Sequence, residues 1–502
     1  MNKRIHFIGI GGAGMSGIAQ VFRTLGCEVR GSDLKRSRYT RMLEEGGVAV
    51  VFGHSPENLD RPDAVVVSTA IPAHNPELVA AIERGIPVYQ RAEMLAELME
   101  MKRGIAVAGT HGKTTTTSMI ANTMELLELE PSFVVGGELN DVGSNARAGG
   151  GEWLVAEADE SDGSLLHLHP EIAVITNVEL DHHSHYASLD EVVEVFKEFV
   201  AGLPEDGALV IWNTPLLREI ARSTHARVVT YGADEGAGYR ADEDADKGAD
   251  YRATDIKSNR DGTSYTLLWG GDRVAPVAGE GGAVRNDVSG VAGEVGNDAP
   301  KVVTATSQIS LMVRGLHNVL NSLAAVAVLD LIGVEPKAAA APLARFSGAA
   351  RRFQLKGEAA GVTIVDDYAH HPTEIAATLE AARSGGWTRV IGAFQPHLYS
   401  RTRYLHDEFG RALNNCDLTI ITDIFGAREE PEPGISGKLV VDAALRWSPS
   451  ANVAYIPKPR DIVPLLLREL RPGDLVLTIG AGDIFKVGED LLAALERQES
   501  LV

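Results

Sequence analysis

The sequence predicts an α/β protein whose sheets are mostly parallel and doubly wound. Two observations carry this. Short apolar runs alternate with helix-length segments almost throughout, and two glycine loops each lie between such a run and a helical pattern. The runs are RIHFIGI, AVVVST, GIAVAGT, WLVAEA, IAVITN, TRVIGAF, LTIITDI and DLVLTIG. A strand buried on both faces reads as continuous apolar residues rather than alternation, and helical crossovers then make parallel pairing the expected outcome.

The 502 residues suffice for three domains at about 150 residues each. We expect a Rossmann-like unit over 1–103, closed by the helix RAEMLAELMEMKR. A second unit over 104–344 ends soon after the helical HNVLNSLAAVAVLDLIG, and a third, Rossmann-like unit fills 345–502. The connection Ala344–Gly348 is the expected hinge between the last two. From Gly270 to Ser307 the chain is rich in Gly, Ala, Val, Asp and Glu without periodicity, and reads as a mobile surface insertion. Asp234–Asp250 reads as an acidic, solvated loop. No internal repeat or heptad pattern is visible.

A formal charge of -22 argues against a nucleic-acid surface, which needs a basic stripe, but leaves room for a local basic cleft. Cys27 and Cys416 are too few for a disulfide framework or a cysteine metal cluster, so a reducing cytoplasm is expected. The first apolar run, Ile5–Ile10, is broken by His6 and followed by glycines, unlike a signal segment. No stretch approaches the ~18 apolar residues of a membrane span, so no membrane association is expected.

Gly9, Gly11 and Gly14 form G-x-G-x-x-G after the first run, with Asp33 closing the next run, CEVRGSD. Glycines let the backbone approach a pyrophosphate, and the following helix offers its N–H groups. The signal is a diphosphate on a ribonucleoside. It does not separate a dinucleotide from a UDP-sugar.

The second loop, Gly109-Thr110-His111-Gly112-Lys113-Thr114, follows IAVA and opens the helix TTTTSMIANTMELL. It is a shortened Walker loop with all the parts present. Backbone N–H groups meet phosphate, Lys113 supplies charge, and Thr114 offers a hydroxyl to magnesium. WLVAEADESD then ends in Glu157, Asp159, Glu160 and Asp162, where carboxylates suit a magnesium bridging phosphates. His182, in TNVELDHH, reads on its own either as a second metal or phosphate contact or as an ordinary loop histidine. His370 and His371 are chain neighbours, whose side chains diverge, which argues against a chelate made by the two of them.

The opening FIGIGGAGMSG, then GTHGKTTTT, EADESDGS, TNVELDHH, GLHNVLN, GAARRF, DDYAHHPTE, FQPHLYSRT and GAGDI, occur in that order. This ordered set resembles the Mur ligase family, from about His6 to Ile484 outside the Gly-rich insertion, and within it the L-alanine-adding branch. The resemblance implies a UDP-binding domain, an ATPase domain and a C-terminal Rossmann-like domain. It also implies a two-step reaction in peptidoglycan precursor synthesis. ATP phosphorylates the lactyl carboxylate of UDP-N-acetylmuramate, and the amine of L-alanine then displaces phosphate to leave an amide.

Carried over residue by residue, the resemblance implies the following site. Gly109, Thr110, His111, Gly112, Lys113, Thr114 and Thr115 hold the phosphates of ATP. Asn318 and Asn321 meet adenine, Arg352 reaches the γ-phosphate, and Asp367 meets the ribose. Thr114, Glu157 and His182 are the expected ligands of Mg2+. Gly11, Gly12, Ala13, Gly14, Met15, Ser16, Asp33, His54, Ser68 and Arg91 line the UDP pocket. Tyr368, His370 and Arg401 surround the amino acid and the acyl phosphate. Lys113, His182, Arg352, His370 and Arg401 form the implied catalytic set. Many relatives carry Arg where this chain has Leu398, so Arg401 is left with more of the amino-acid carboxylate.

Three other readings remain open from the sequence. A recycling ligase that joins a whole peptide to the same UDP-sugar shares most motifs. An NAD-dependent oxidoreductase would use the first loop but leaves the second loop and its acidic strand without a role. A P-loop switch leaves the first loop and QPHLYSRT unexplained.

Overall fold

A computed structural model describes every residue except 1–2, 69, 142, 162, 182–184, 235–247, 271–302, 428 and 501–502. Three sheets follow one another along the chain. The first contains β1 (Arg4–Ile8), β2 (Glu28–Asp33), β3 (Ala49–Phe52), β4 (Ala64–Val67) and β5 (Val88–Gln90), in the order β3-β2-β1-β4-β5. All its pairs are parallel. The order reverses direction at β1, and in such sheets the crevice at that reversal receives the ligand.

The middle sheet has ten strands: β6 (Arg103–Ala108), β7 (Ser132–Leu139), β8 (Ser144–Arg147), β9 (Trp153–Glu157), β10 (Ile172–Ile175), β11 (Ala208–Trp212), β12 (Arg227–Ala233), β13 (Tyr251–Asn259), β14 (Gly262–Gly270) and β15 (Val303–Leu311). Its order is β15-β14-β13-β12-β11-β10-β6-β9-β7-β8. The centre is parallel, and both ends are antiparallel hairpin-like extensions. β10, IAVI, is buried at every residue, as its unbroken apolar sequence requires.

The third sheet joins β16 (Gln354–Ala359), β17 (Val362–Asp367), β18 (Arg389–Phe394), β19 (Leu418–Ile421), β20 (Val453–Tyr455) and β21 (Asp474–Ile479) in the order β16-β17-β21-β18-β19-β20. β16 alone runs antiparallel. Among the described residues no helix is long and apolar enough to cross a membrane.

The helix Lys113–Leu126 opens on four consecutive threonines, a weak helical sequence. Tertiary burial overrides propensity: Thr115, Thr116, Thr117 and Ser118 are all buried, and Thr117 Oγ1 donates back to the Lys113 carbonyl at 2.8 Å. The helix Leu316–Leu331 lies between this helix and the strands β11–β13, which explains why it is apolar almost all round.

The helix Ala13–Thr24 packs on β7 and β8, so the first glycine loop is seated directly on the middle domain. A Cβ at Gly17 would come within 2.9 Å of Ala146 Cβ.

Two sequence expectations change here. Gly270 and Val303–Ser307 are not insertion: Ser307 pairs with Leu267 and Thr306 with Leu268 in the β14–β15 ladder. The lack of periodicity placed the end of the insertion at Ser307, because the large buried residues of this strand, Ile309 and Leu311, lie beyond that point. The rest of the expected insertion, 271–302, lies outside the described residues, as does most of the acidic loop, 235–247.

The expected hinge, Ala344–Gly348, is tied down. Phe346 is buried in the middle core, Ser347 donates through its amide and hydroxyl to Asp141, and Ala350 donates its amide to the Glu138 carbonyl. Just before the third sheet, Arg351 and Phe353 take φ of 61° and 46°.

Candidate active site

Three groups of side chains converge at the C-terminal strand ends. The first is the loop between β6 and the helix Lys113–Leu126. Gly109 and Gly112 have φ of 128° and 83°, and a Cβ at Gly112 would sit 2.7 Å from Asn321 Oδ1. Glycine is required there both for conformation and for space.

Lys113 Nζ donates to the carbonyls of Gly109 at 2.6 Å and Thr110 at 3.2 Å, and to Glu160 at 2.8 Å. Burial opposes its charge, but Glu160, Asp159 and Glu157 together raise its pKa above the ordinary lysine value. Burial also pushes Glu160 up, to about 7, against the pull of Lys113. The lysine is charged, with the Glu160 carboxylate in contact and those of Asp159 and Glu157 nearby.

Thr114 Oγ1 donates to Glu157 at 3.0 and 3.1 Å, and the Gly136 amide donates to the same carboxylate at 2.8 Å. A hydroxyl and a carboxylate converging beside a phosphate loop fit a magnesium ion, whose preferred donors are oxygens. His182, the third expected ligand, lies outside the described residues.

The second group faces the loop across a cleft lined by Asn318, Asn321, Arg352 and Asp367 together with His111 and Gly112. Asn321 accepts from Thr116 Oγ1 at 3.1 Å and donates to Asn318 at 3.3 Å, so the two asparagines are held as a pair. Asp367 accepts from the amides of Phe353 and Ala369, and burial pushes its carboxyl up to about 6 against Arg352. Arg352 donates to Glu374 at 3.3 Å and lies over the Tyr368 ring. The cleft therefore takes walls from both the middle and the third domain.

Glu374, which the sequence reading missed, is the hub of that wall. It accepts from the His370 and His371 amides and faces Arg352 and His111. Burial opposes its charge, but the hydrogen bond with His111 and the charge of Arg352 hold it well below the usual carboxylate range. Its only sequence signal was the Pro-Thr-Glu of a helix start, which reads as a cap. His111 is pushed the other way: against burial, Glu179 and Glu374 raise it to about 9.

The third group is Tyr368, His370 and Arg401. Tyr368 and His370 rings lie 5.3 Å apart, and His370 faces His397 at 6.1 Å. His370 Nδ1 is 3.1 Å from the Tyr368 carbonyl, so that nitrogen carries the proton and Nε2 keeps its lone pair. Burial pushes His370 down to about 3, so it is neutral. His397 was also missed, although it stands inside QPHLYSRT. Arg401 is 3 % exposed and its fork is taken by Asp181, at 3.0–3.1 Å. The expected amino-acid carboxylate would have to share or exchange that partner. Leu398 caps the helix Tyr399–Leu413 with φ of 69°.

The first domain arranges the UDP set around the β1–helix loop. Asp33 accepts from the Gly11 amide at 2.8 Å and from Lys35, so it shapes the loop as well as facing the crevice. Gly12 and Ala13 start the helix. Arg91 packs against Gly14 and reaches Asp159 of the middle domain at 3.7 Å. Met15 and Ser16 are buried, and Met15 belongs to the core, leaving its backbone for any ligand. Ser68 closes a turn through Ile71.

His54 Nδ1 lies 3.1 Å from Ser32 and 3.3 Å from Glu77. Glu77, fully buried and also missed, additionally contacts His6 at 2.8 Å and accepts from Ser32 and Asn58 at 2.6 Å. Its Asn75-Pro76-Glu77 context reads as a helix start and hides the hub.

Comparison with known proteins matches all three domains. Residues 4–103 match the Mur ligase family catalytic domain, 107–329 the Mur ligase middle domain, and 351–482 the Mur ligase glutamate ligase domain. The UDP-N-acetylmuramate–L-alanine ligase of Rubrobacter xylanophilus is 48% identical over 98% of this chain and 100% of its own. The crystal structure of the UDP-N-acetylmuramate–alanine ligase of Thermotoga maritima superposes with a TM-score of 0.75 at 25% identity, covering 100% of both chains. A murein peptide ligase from Psychrobacter arcticus superposes with 0.67 at 25% identity over 99% of each chain. With its loops, cleft and domain order all accounted for, this chain belongs to the Mur ligase family.

Proposed function

We propose that this protein joins L-alanine to UDP-N-acetylmuramate with consumption of ATP, through an acyl phosphate, as a cytoplasmic step of peptidoglycan precursor synthesis. The observation that carries the reading is the single cleft built by Asn318 and Asn321 on one side and Arg352 and Asp367 on the other, directly beside the Lys113 loop. The full-length similarity to L-alanine ligases supports the choice of substrates.

The chain's own groups divide the work. The loop amides and Lys113 bind the transferring phosphoryl group, and Arg352 meets its charge from the opposite wall. Asn318 and Asn321 hold the base, and Asp367 the ribose. Thr114 and Glu157 would hold magnesium, which when bound neutralises phosphate charge. Gly11–Ser16, Asp33, His54, Ser68 and Arg91 hold the UDP end. His370 offers a neutral Nε2 acceptor that orients the incoming amine beside Tyr368. Arg401 fixes the Asp181 segment and supplies the cation nearest the amino-acid carboxylate. Closure of the cleft keeps water from the acyl phosphate.

The test is product mass after incubation with ATP, magnesium, UDP-N-acetylmuramate and each small amino acid or the recycled tripeptide in turn. A product carrying alanine, with ADP and phosphate released in step, is expected. A product formed only with the tripeptide would overturn the choice of acceptor.

A further inference from the structure

We propose that His111, Glu179 and His371 form an inter-domain site for a zinc-class divalent cation, separate from the magnesium position at Thr114 and Glu157. His111 comes from the ATP loop, Glu179 from the segment after β10, and His371 from the start of the third domain's helix Pro372–Ser384. Their donor atoms lie within 4.8 Å of one another. His111 Nε2 is 3.5 Å from Glu179 Oε2, and His371 Nδ1 is 3.6 Å from the same oxygen; the ion would replace the long contact, 3.4 Å, by which His371 Nδ1 now accepts from the Thr373 amide. The edge of a tetrahedron around zinc with bonds near 2.1 Å is about 3.4 Å. Two of the three donor separations thus stand close to the spacing that a tetrahedral ion requires, and the third is within 4.8 Å.

Three further features fit a cation here. His111 Nε2 is enclosed without a hydrogen-bond partner, and an ion bound there would release to solvent the proton that this nitrogen carries toward Glu179. Its other nitrogen, Nδ1, faces Glu374 at 3.4 Å. A carboxylate behind the distal nitrogen is the arrangement that orients metal-binding histidines. Thr373 Oγ1 donates to the Glu179 carboxylate at 2.6 Å and steadies the third donor in the same way. Two imidazoles and one carboxylate select zinc-class ions over magnesium, which prefers an all-oxygen shell.

The ion would join the ATP loop to the third domain, because its ligands come from both. His111 and Glu179 also line the ATP cleft. Zinc is therefore expected to hold the cleft in one setting and slow ligation.

The test is zinc calorimetry on the full chain with magnesium present in excess, for the wild type, His371→Asn, Glu179→Gln and His182→Ala. Asparagine keeps a helix-capping oxygen where His371 now accepts from the Thr373 amide, and glutamine keeps an acceptor for Thr373, so both variants retain their local contacts. One zinc per wild-type chain is expected, weakened about ten-fold or more in His371→Asn and Glu179→Gln and unchanged in His182→Ala. Anomalous scattering at the zinc edge should place the ion between the three side chains. No zinc binding by the wild type, unchanged affinity in the first two variants, or loss confined to His182→Ala would each overturn the assignment.

Discussion

Replacing Lys113 by alanine separates catalysis from stability at one position. The ammonium is expected to face the transferring phosphoryl group, so its loss should lower turnover by roughly 10²-fold or more. Its loss also leaves Glu160, 2 % exposed, without its cation and beside Asp159. Breaking a buried pair by removing one partner costs about 3–5 kcal/mol when the remaining charge stays. Glu160 has an escape, because its carboxyl already titrates near 7 rather than 4.5, and the loss of Lys113 moves it further up.

A folded-state pKa raised above the unfolded one means that the native variant holds the extra proton. The wild type already carries the shift from 4.5 to about 7, so the variant's extra destabilisation is small below about pH 7 and opens above it, where the wild-type carboxyl ionises and the variant's stays protonated. Denaturant titrations of wild type and Lys113→Ala at pH 6 and pH 8 read this directly, about 6 and 8 being either side of the transition. The variant should lie close to wild type at the lower pH and well below it at the higher one. Adding Glu160→Gln should restore stability without restoring turnover. Equal destabilisation at both pH values, or near-normal turnover of the single variant, would refute the reasoning.

Four further outcomes are expected. Glu157→Ala should shift the magnesium titration of ATP use to higher concentration, and an unchanged titration would leave Glu157 as a structural carboxylate. Arg352→Ala should slow acyl-phosphate formation in single-turnover kinetics, and scattering should show compaction when wild type binds ATP and UDP-sugar. An unchanged scattering profile with normal phosphoryl transfer by the variant would remove the closing mechanism. Replacing 271–302 with a short Gly/Ser bridge should preserve activity, since Gly270 and Val303 are already paired neighbours, and loss of folding would argue otherwise.

Glu77→Gln should raise KM for the UDP-sugar while leaving KM for ATP unchanged. Burial opposes the Glu77 charge, but hydrogen bonds from His6, Ser32 and Asn58 hold the carboxyl at about 2 instead of 4.5. A depressed folded-state pKa contributes stability above the unfolded value, here about 3 kcal/mol, that fades as pH falls from about 5 to 2. The wild-type advantage over the variant should shrink across that window, and a constant difference in denaturant midpoints would contradict it.

The sequence by itself determined the α/β class and the two glycine loops, and it pointed to Lys113, Thr114 and Glu157 around the second of them. Those signals are local: an apolar strand, a glycine turn and a helix start are each written in neighbouring residues. The ordered motifs extended this to Asn318, Arg352 and Asp367 by resemblance. Tertiary structure decided the rest, because it turned on partners far apart in the chain. Glu374 and Glu77 look like helix-start residues until distant histidines, arginines and hydroxyls close around them. Arg401 looked free for a substrate carboxylate until Asp181, from another domain, filled its fork. The β14–β15 pairing rescued Val303–Ser307 from a segment whose own residues show no apolar period. A buried carboxylate's role is set by what surrounds it, and that environment is assembled only when the chain folds.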